Sequence, residues 1–183
     1  MHTTTEERIL RTAMTCGAFY AAGISTDQIV LDEQFRQICE TNRCGRYGKC
    51  YQCPPDIGDI HGLMQKIRSF PRAVIYQSVA TLEDSFDFIG MMDAAVEHMQ
   101  LSQRIQDSIP SILSGNYLHL SSGCRLCERC AKESGLPCRY PKKALGAVEG
   151  YGIDVYQTIQ NTPLKYNNGE NTVTYFGAIL FTE

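Results

Sequence analysis

Nine cysteines in a chain of 183 residues are the part of the sequence with the most obvious chemistry. Eight of them fall into two short blocks, at 39–53 and 124–138. The total is odd and the spacings are tight, whereas disulfide scaffolds belong to short secreted chains with cysteines scattered between loops. The two blocks therefore predict metal binding in preference to disulfide bonds.

The C-terminal block has the spacing C-x2-C-x2-C-x7-C, formed by Cys124, Cys127, Cys130 and Cys138. Pro137 precedes the last of these cysteines. Bacterial ferredoxins hold [4Fe-4S] clusters with a C-x2-C-x2-C run and a further cysteine beside a proline. A zinc ion usually takes two separated C-x2-C pairs, because four ligands must lie close to one atom. The block favours a [4Fe-4S] cluster, with zinc as the alternative.

The C-terminal block is also basic. Between residues 124 and 143 there are six basic side chains and two acidic ones. Positive charge beside an anionic four-thiolate cluster stabilises its reduced form. A solvated basic surface explains the same residues equally well, so the charge supports the cluster only weakly.

The N-terminal block has the less standard spacing C-x4-C-x5-C-x2-C, followed by two prolines. Gly45 and Gly48 allow its backbone to fold tightly, as a loop around a cluster must. Cys39 also fits an ordinary core thiol on an apolar helix face. We interpret the block as a second metal site with Cys39, Cys44 and Cys53 as expected ligands and Cys50 as a further candidate, whose role as a ligand is left open.

Helices are expected on both sides of the N-terminal block. Thr3 with Glu6 predicts the start of a helix that continues with helical apolar spacing to Gly23. Asp32 and Asp59 are expected to cap two further helices, separated by a glycine- and proline-rich loop over 43–58.

A strand, a helix and a second strand are predicted before the C-terminal block. The run 73–80 reads as a buried strand, 85–109 as the longest helix with Phe88 toward the core, and 117–120 as a short strand. This order predicts a right-handed βαβ unit. A last strand is expected over 173–181.

These elements predict an α+β fold. We expect a single metal-binding domain over residues 1–183, with a small mixed sheet that includes the βαβ unit, packed helices and two cysteine-rich metal-binding loops.

Composition and the N-terminal residues exclude several classes of protein and of binding partner, and they also predict the cellular location. Apolar residues make up 43% and charged residues 20% of the chain, which excludes a disordered chain and a coiled coil. Seventeen basic against twenty acidic residues predict no nucleic-acid partner and no anionic membrane partner. Glu6 and Glu7 precede the first apolar residues, unlike a secretory signal. A cytoplasmic location is expected.

Several segments resemble a known family. The two cysteine blocks, "SFDFIGMMDAA", "GYGIDVYQTI" and the ending "NNGENTVTYFGAILF" resemble DUF2284, a family of small predicted metal-binding proteins of anaerobic bacteria and archaea. The resemblance runs from about residue 25 to the C-terminus and implies a bound metal, without an established reaction. It also implies that Cys39, Cys44 and Cys53 belong to the family pattern, whereas Cys50 lies where the family commonly has another residue.

Three functions are compatible with these observations. The first is electron transfer in anaerobic metabolism through one or two [4Fe-4S] clusters, with a redox protein as partner. The second is an enzyme whose N-terminal cluster has an iron open to substrate, if Cys50 is not a ligand. The third is a zinc-stabilised interaction module. The sequence contains no nucleotide-binding or nucleophile-elbow motif, and whether the protein is an enzyme stays open.

Four histidines show no metal-ligand spacing. His119 lies five residues before Cys124, and we expect it to be a surface or hydrogen-bonded strand residue in preference to a ligand.

Overall fold

A mixed sheet lies at the centre of the protein. The computed structural model describes residues 3–182. Within that range the sheet has five strands, which are β1 (Tyr20–Ser25), β2 (Arg72–Thr81), β3 (Tyr117–Ser121), β4 (Gly146–Ala147) and β5 (Thr172–Phe181). Their order across the sheet is β1-β2-β5-β3-β4, so β5 lies between β2 and β3.

One helix precedes the first strand, and the others lie in segments between the strands. The α-helices are α1 (Thr5–Thr15), α2 (Gln34–Glu40), α3 (Ile60–Arg68), α4 (Phe88–Ser108) and α5 (Val155–Thr158). Shorter 3-10 turns cover Thr26–Gln28, Ile109–Ser111, Ala131–Ser134 and Glu149–Tyr151. Over residues 3–182, none of the helices combines the length and the apolarity needed to cross a bilayer.

The predicted α+β class is confirmed. Both β2 and β3 pair antiparallel with β5, so these two strands run parallel to each other. The chain passes from β2 through α4 to β3, which is the expected strand–helix–strand unit with β5 inserted between its two strands.

Both faces of the central strands are buried. In β2, Val74 and Tyr76 pack with α1 and α4, whereas Ala73 and Ile75 pack with α3 on the opposite face. This alternation follows from the two-residue period of a strand. The helices therefore cover the sheet on two sides, and the cysteine blocks lie outside this core.

The first helix ends earlier than expected. Its N-cap is Thr4, whose side chain accepts a hydrogen bond from Glu7, one residue later than the predicted pair. The helix ends at Thr15, and Gly17 adopts a φ of 107°, which favours glycine. Residues 20–25 pair with β2 as a strand, because the sheet edge supplies hydrogen bonds that the isolated sequence does not reveal.

Two other helices differ in smaller ways. Asp59 caps α3 as predicted, since its side chain accepts a hydrogen bond from the backbone of Gly62 at 2.9 Å. The expectation that Phe88 faces the core is wrong, because its side chain is 70% exposed. Burial along α4 begins at Ala94.

Candidate metal centre

Local turns hold the N-terminal cysteines. Cys39 lies in the last turn of α2, and the chain then enters the loop that contains Cys44. Farther along, the backbone N–H of Gly48 donates to the carbonyl of Pro54 at 2.8 Å, and that of Cys53 donates to Cys50 at 3.0 Å. These bonds bring Cys50 and Cys53 into one turn.

The C-terminal block begins where β3 ends. Gly123, with a φ of 106°, turns the chain directly after the strand and before Cys124. Cys130 precedes the 3-10 turn Ala131–Ser134, and its carbonyl accepts a hydrogen bond from the backbone of Glu133 at 3.1 Å. The sheet therefore determines where this block starts, and short turns shape the rest.

Hydrogen bonds join the two blocks. The Arg46 guanidinium donates through Nη1 to the carbonyl of Cys124 at 3.0 Å, across 78 positions of the chain. The Tyr51 hydroxyl donates to the carbonyl of Leu136 at 2.9 Å, across 85 positions. Backbone atoms of the C-terminal block are thus held by side chains of the N-terminal block.

Charged side chains add to this contact. Lys132 forms an ion pair with Asp56, and its ammonium group lies 5.6 Å from the centre of the Tyr51 ring. Directly after the C-terminal block, Arg139 donates to the carbonyl of Arg129 at 2.9 Å. The two cysteine blocks therefore form one continuous region of structure.

The thiols of the two blocks line two neighbouring cavities. The smaller cavity has a volume of about 20 Å³, which is room for about one water molecule, and the larger cavity has a volume of about 190 Å³. The smaller cavity is lined by Cys50, Cys124, Cys127, Cys130 and Cys138. The larger cavity is lined by Cys39, Cys44, Cys53 and Cys124.

Cys50 is the most deeply buried of the eight block cysteines, with 2% of its surface exposed. Interaction with the neighbouring thiols of Cys124 and Cys53 lowers the pKa of Cys50. The same interaction, together with burial, raises the pKa values of Cys124 and Cys53. The thiol of Cys50 is therefore the one of these three that loses its proton most easily.

Comparison with known proteins agrees with these features. Residues 22–181 match the family described as "Predicted metal-binding protein (DUF2284)". The chain belongs to this family. The match confirms the resemblance seen in the sequence and begins three residues before its expected start. Comparisons with curated proteins and with solved structures gave no match.

The donor set of this DUF2284 protein consists of thiols, which suit either an iron–sulfur cluster or a zinc ion. Such a cluster is held by four thiolates that are distributed around it, whereas a zinc ion needs its ligands to converge on one atom. The thiols here lie in the walls of two cavities. Among residues 3–182, no three His, Cys, Asp or Glu side chains form a group that could hold a single metal ion.

The structure places the predicted cysteines in an unexpected grouping. All eight come together in one region, although their role as metal ligands stays a prediction. Cys50, from the N-terminal block, lines the smaller cavity with the C-terminal cysteines. The ninth, Cys16, caps the C-terminal end of α1 and lies in the wall of neither cavity.

Other residues of the larger cavity were not singled out as site residues from the sequence. Arg46 and Arg125 contribute positive charge to its wall, and Gln52 and Ser122 contribute polar groups. The buried hydroxyl of Ser122 has no hydrogen-bond partner within the described residues. Its position two residues before Cys124 was the signal that could have identified it.

His119 belongs to a buried polar network of the core. Its ring nitrogens lie 2.8 Å from the Tyr76 hydroxyl and 2.8 Å from Oε1 of Gln106. The interpretation of His119 as a hydrogen-bonded strand residue is confirmed. Burial lowers the pKa of His119 to about 3, which keeps the ring neutral at physiological pH.

Proposed function

We propose that this DUF2284 protein binds two [4Fe-4S] clusters and transfers electrons in anaerobic metabolism. The single observation that supports the proposal best is the arrangement of eight thiols around two neighbouring cavities. Eight thiolates are the number that two four-thiolate clusters require. A cluster of this kind takes up and releases single electrons when bound.

The side chains around the thiols suit such a role. Arg46 lines both cavities, so its guanidinium offsets negative charge at either one. Leu126 and Ala131 line the smaller cavity and limit the access of water to it. Positive charge and low solvent exposure are two of the factors that set the reduction potential of an iron–sulfur centre.

We further propose that an acidic redox protein docks beside the thiols. A groove of about 440 Å³ includes the thiols of Cys44 and Cys130 in its wall. Phe88 supplies an apolar contact there and is 70% exposed. The groove has four basic and two acidic side chains, which are Arg43, Arg46, Lys49, Arg125, Glu128 and Glu133. Opposite charge on a partner would orient it on this groove.

Anaerobic purification tests the cluster assignment. We expect a brown protein with broad absorbance near ~400 nm and about eight iron and eight sulfide ions per chain, as two [4Fe-4S] clusters require. A colourless protein with stoichiometric zinc would contradict the proposal and favour the zinc-stabilised interaction module.

Charge reversal tests the docking surface. Electron transfer from a reduced acidic flavodoxin should be slower in Arg43→Glu and should weaken as salt is added. Arg11→Glu is the matched control, because Arg11 is an exposed residue of α1 outside the groove. Equal rates in the two variants would remove the acidic partner from the proposal.

The volume of the larger cavity, about 190 Å³, favours a second candidate function, which is an enzyme that binds its substrate at an open metal centre. A centre held there only by Cys39, Cys44 and Cys53 would leave one coordination position for a substrate. Arg46 and Arg125 would then favour an anionic one. The spin-resonance spectrum of the reduced protein should change on adding cyanide or a small thiol. An unchanged spectrum would leave electron transfer as the better interpretation.

A further inference from the structure

We propose that each of the two centres takes three ligands from one cysteine block and the fourth ligand from the other block. Cys50, from the N-terminal block, joins Cys127, Cys130 and Cys138 at the smaller cavity. Cys124, from the C-terminal block, joins the remaining N-terminal cysteines at the larger cavity. This inference rests on the proposed function and assigns the ligands of the two centres.

The cavity walls decide the assignment of seven thiols. Three thiols line only the larger cavity, and these are Cys39, Cys44 and Cys53. Four thiols line only the smaller cavity, and these are Cys50, Cys127, Cys130 and Cys138. Each thiol is expected to bind the centre whose cavity it lines, because a ligand must reach its metal directly.

Cys124 is the one thiol of this group that lines both cavities. The smaller cavity has four other thiols, and the larger cavity has three. If each cluster takes four thiolates, Cys124 must complete the larger cavity. This division uses all eight thiols of the two blocks and leaves none as a spectator.

Contacts around Cys50 and Cys124 agree with this assignment, in which Cys50 and Cys124 each bind the centre of the other block. We call this assignment the crossing. Cys50 and Cys124 both line the smaller cavity, and Arg46, which lines both cavities, donates to the carbonyl of Cys124 at 3.0 Å. Cys50 and Cys53 lie in one turn but line different cavities. A cysteine of one run that binds the other cluster is also found in two-cluster ferredoxins.

The smaller cavity must widen to accept a cluster. At about 20 Å³ it is far smaller than the larger cavity. Its walls come from the turn at Cys50 and from the segment 124–140. Neither of these segments contains an α-helix or a β-strand. Opening this space requires the two segments to move apart, although the hydrogen bonds from Arg46 to Cys124 and from Tyr51 to Leu136 join them.

Serine variants test the crossing by their spectra. Cys44→Ser and Cys130→Ser serve as references, since each removes a thiol that lines one of the two cavities but not the other. In the anaerobic protein, Cys50→Ser should show the spin-resonance spectrum of Cys130→Ser, with iron reduced to about half of eight ions. Cys124→Ser should match Cys44→Ser. Cys16→Ser is the control and should keep all of the iron.

The wild-type protein supplies a second measurement that does not depend on variant folding. Slow removal of iron by a chelator, with continuous alkylation and mass mapping, shows which thiols become reactive together. Cys124 should become reactive with Cys39 and Cys44. Release of Cys124 with Cys127 and Cys130 would overturn the crossing, as would a Cys50→Ser protein that keeps both centres. A wild type with fewer than two iron–sulfur centres would instead contradict the proposed function.

Discussion

The guanidinium of Arg46 donates a hydrogen bond to the carbonyl of Cys124 at 3.0 Å, although the two residues belong to different cysteine blocks. Both residues line both cavities. The wall between the two cavities therefore contains residues from both cysteine blocks. Any metal centre on one side of this wall lies next to a centre on the other side.

Each of the four C-terminal cysteines should be a ligand of a metal centre. Single substitutions to serine should each lower the metal content by about one centre, because a cluster is held by four thiolates. Metal analysis of the purified variants measures this, with Cys16→Ser as the unaffected control. Unchanged metal content in two or more variants would make the assignment wrong. The variants are Cys124→Ser, Cys127→Ser, Cys130→Ser and Cys138→Ser.

Metal removal should loosen the segment 121–150. The buried apolar side chains of this segment are Ala131, Leu145 and Val148. Because they are few, bound metal should contribute directly to the folding free energy of the segment. The apoprotein should show faster amide exchange there and a lower melting temperature. Amides of β2 and β5 provide the internal control, since they pair along their full length in the core. Equal protection of 121–150 with and without metal would contradict this.

Stability should fall as the pH decreases below about 6.5. Burial lowers the pKa of His98 to about 4 and that of His119 to about 3, so the unfolded chain binds more protons than the folded protein at mildly acidic pH. Each histidine should lower the free energy of unfolding by up to about 1.4 kcal/mol per pH unit between its unfolded and folded pKa.

Urea unfolding of the apoprotein at several pH values measures this effect. His98→Gln should show a shallower decrease in stability between pH 6.5 and about 4 than the wild type. His61→Gln is the matched control, because His61 is exposed, with 70% of its side chain accessible. Identical pH profiles for wild type and His98→Gln would show that the His98 ring is not held neutral.

Gly123→Ala should destabilise the protein and disturb Cys124. Gly123 has a φ of 106°, a conformation that costs a non-glycine residue about 1–2 kcal/mol. Relief of this strain would shift the next residue, Cys124, and lower metal retention. Thermal unfolding and metal content measure the two effects.

Gly62→Ala is the control for this substitution. Gly62 lies inside α3, where an added Cβ would meet its nearest neighbour, Asp59, at 3.7 Å, so alanine should stabilise by about 0.5–1 kcal/mol. A Gly123→Ala protein with unchanged stability and metal content would show that the turn tolerates a side chain.

The sequence alone determined the central elements of the fold. The apolar run at 73–80 and the last strand at 173–181 became β2 and β5, and the predicted helix over 85–109 became α4. These segments have strong local patterns because both strand faces are buried and the helix is long. The insertion of β5 between β2 and β3 was decided by pairing between segments far apart in the sequence.

Tertiary contacts decided the secondary structure of residues 20–25. Its alanines suit a helix, yet it pairs with β2 from Tyr20 to Ser25. The hydrogen bonds of this pairing come from a strand about fifty positions farther along, so local propensity could not reveal them.

The sequence by itself also identified which cysteines gather, because their types and spacing are properties of short segments. Their division between two cavities depends on how the blocks pack against each other. That packing rests on the bonds from Arg46 to Cys124 and from Tyr51 to Leu136, which span 78 and 85 positions. Spacing within a block describes only the reach of one loop. Only the tertiary structure could therefore place Cys50 with the C-terminal thiols.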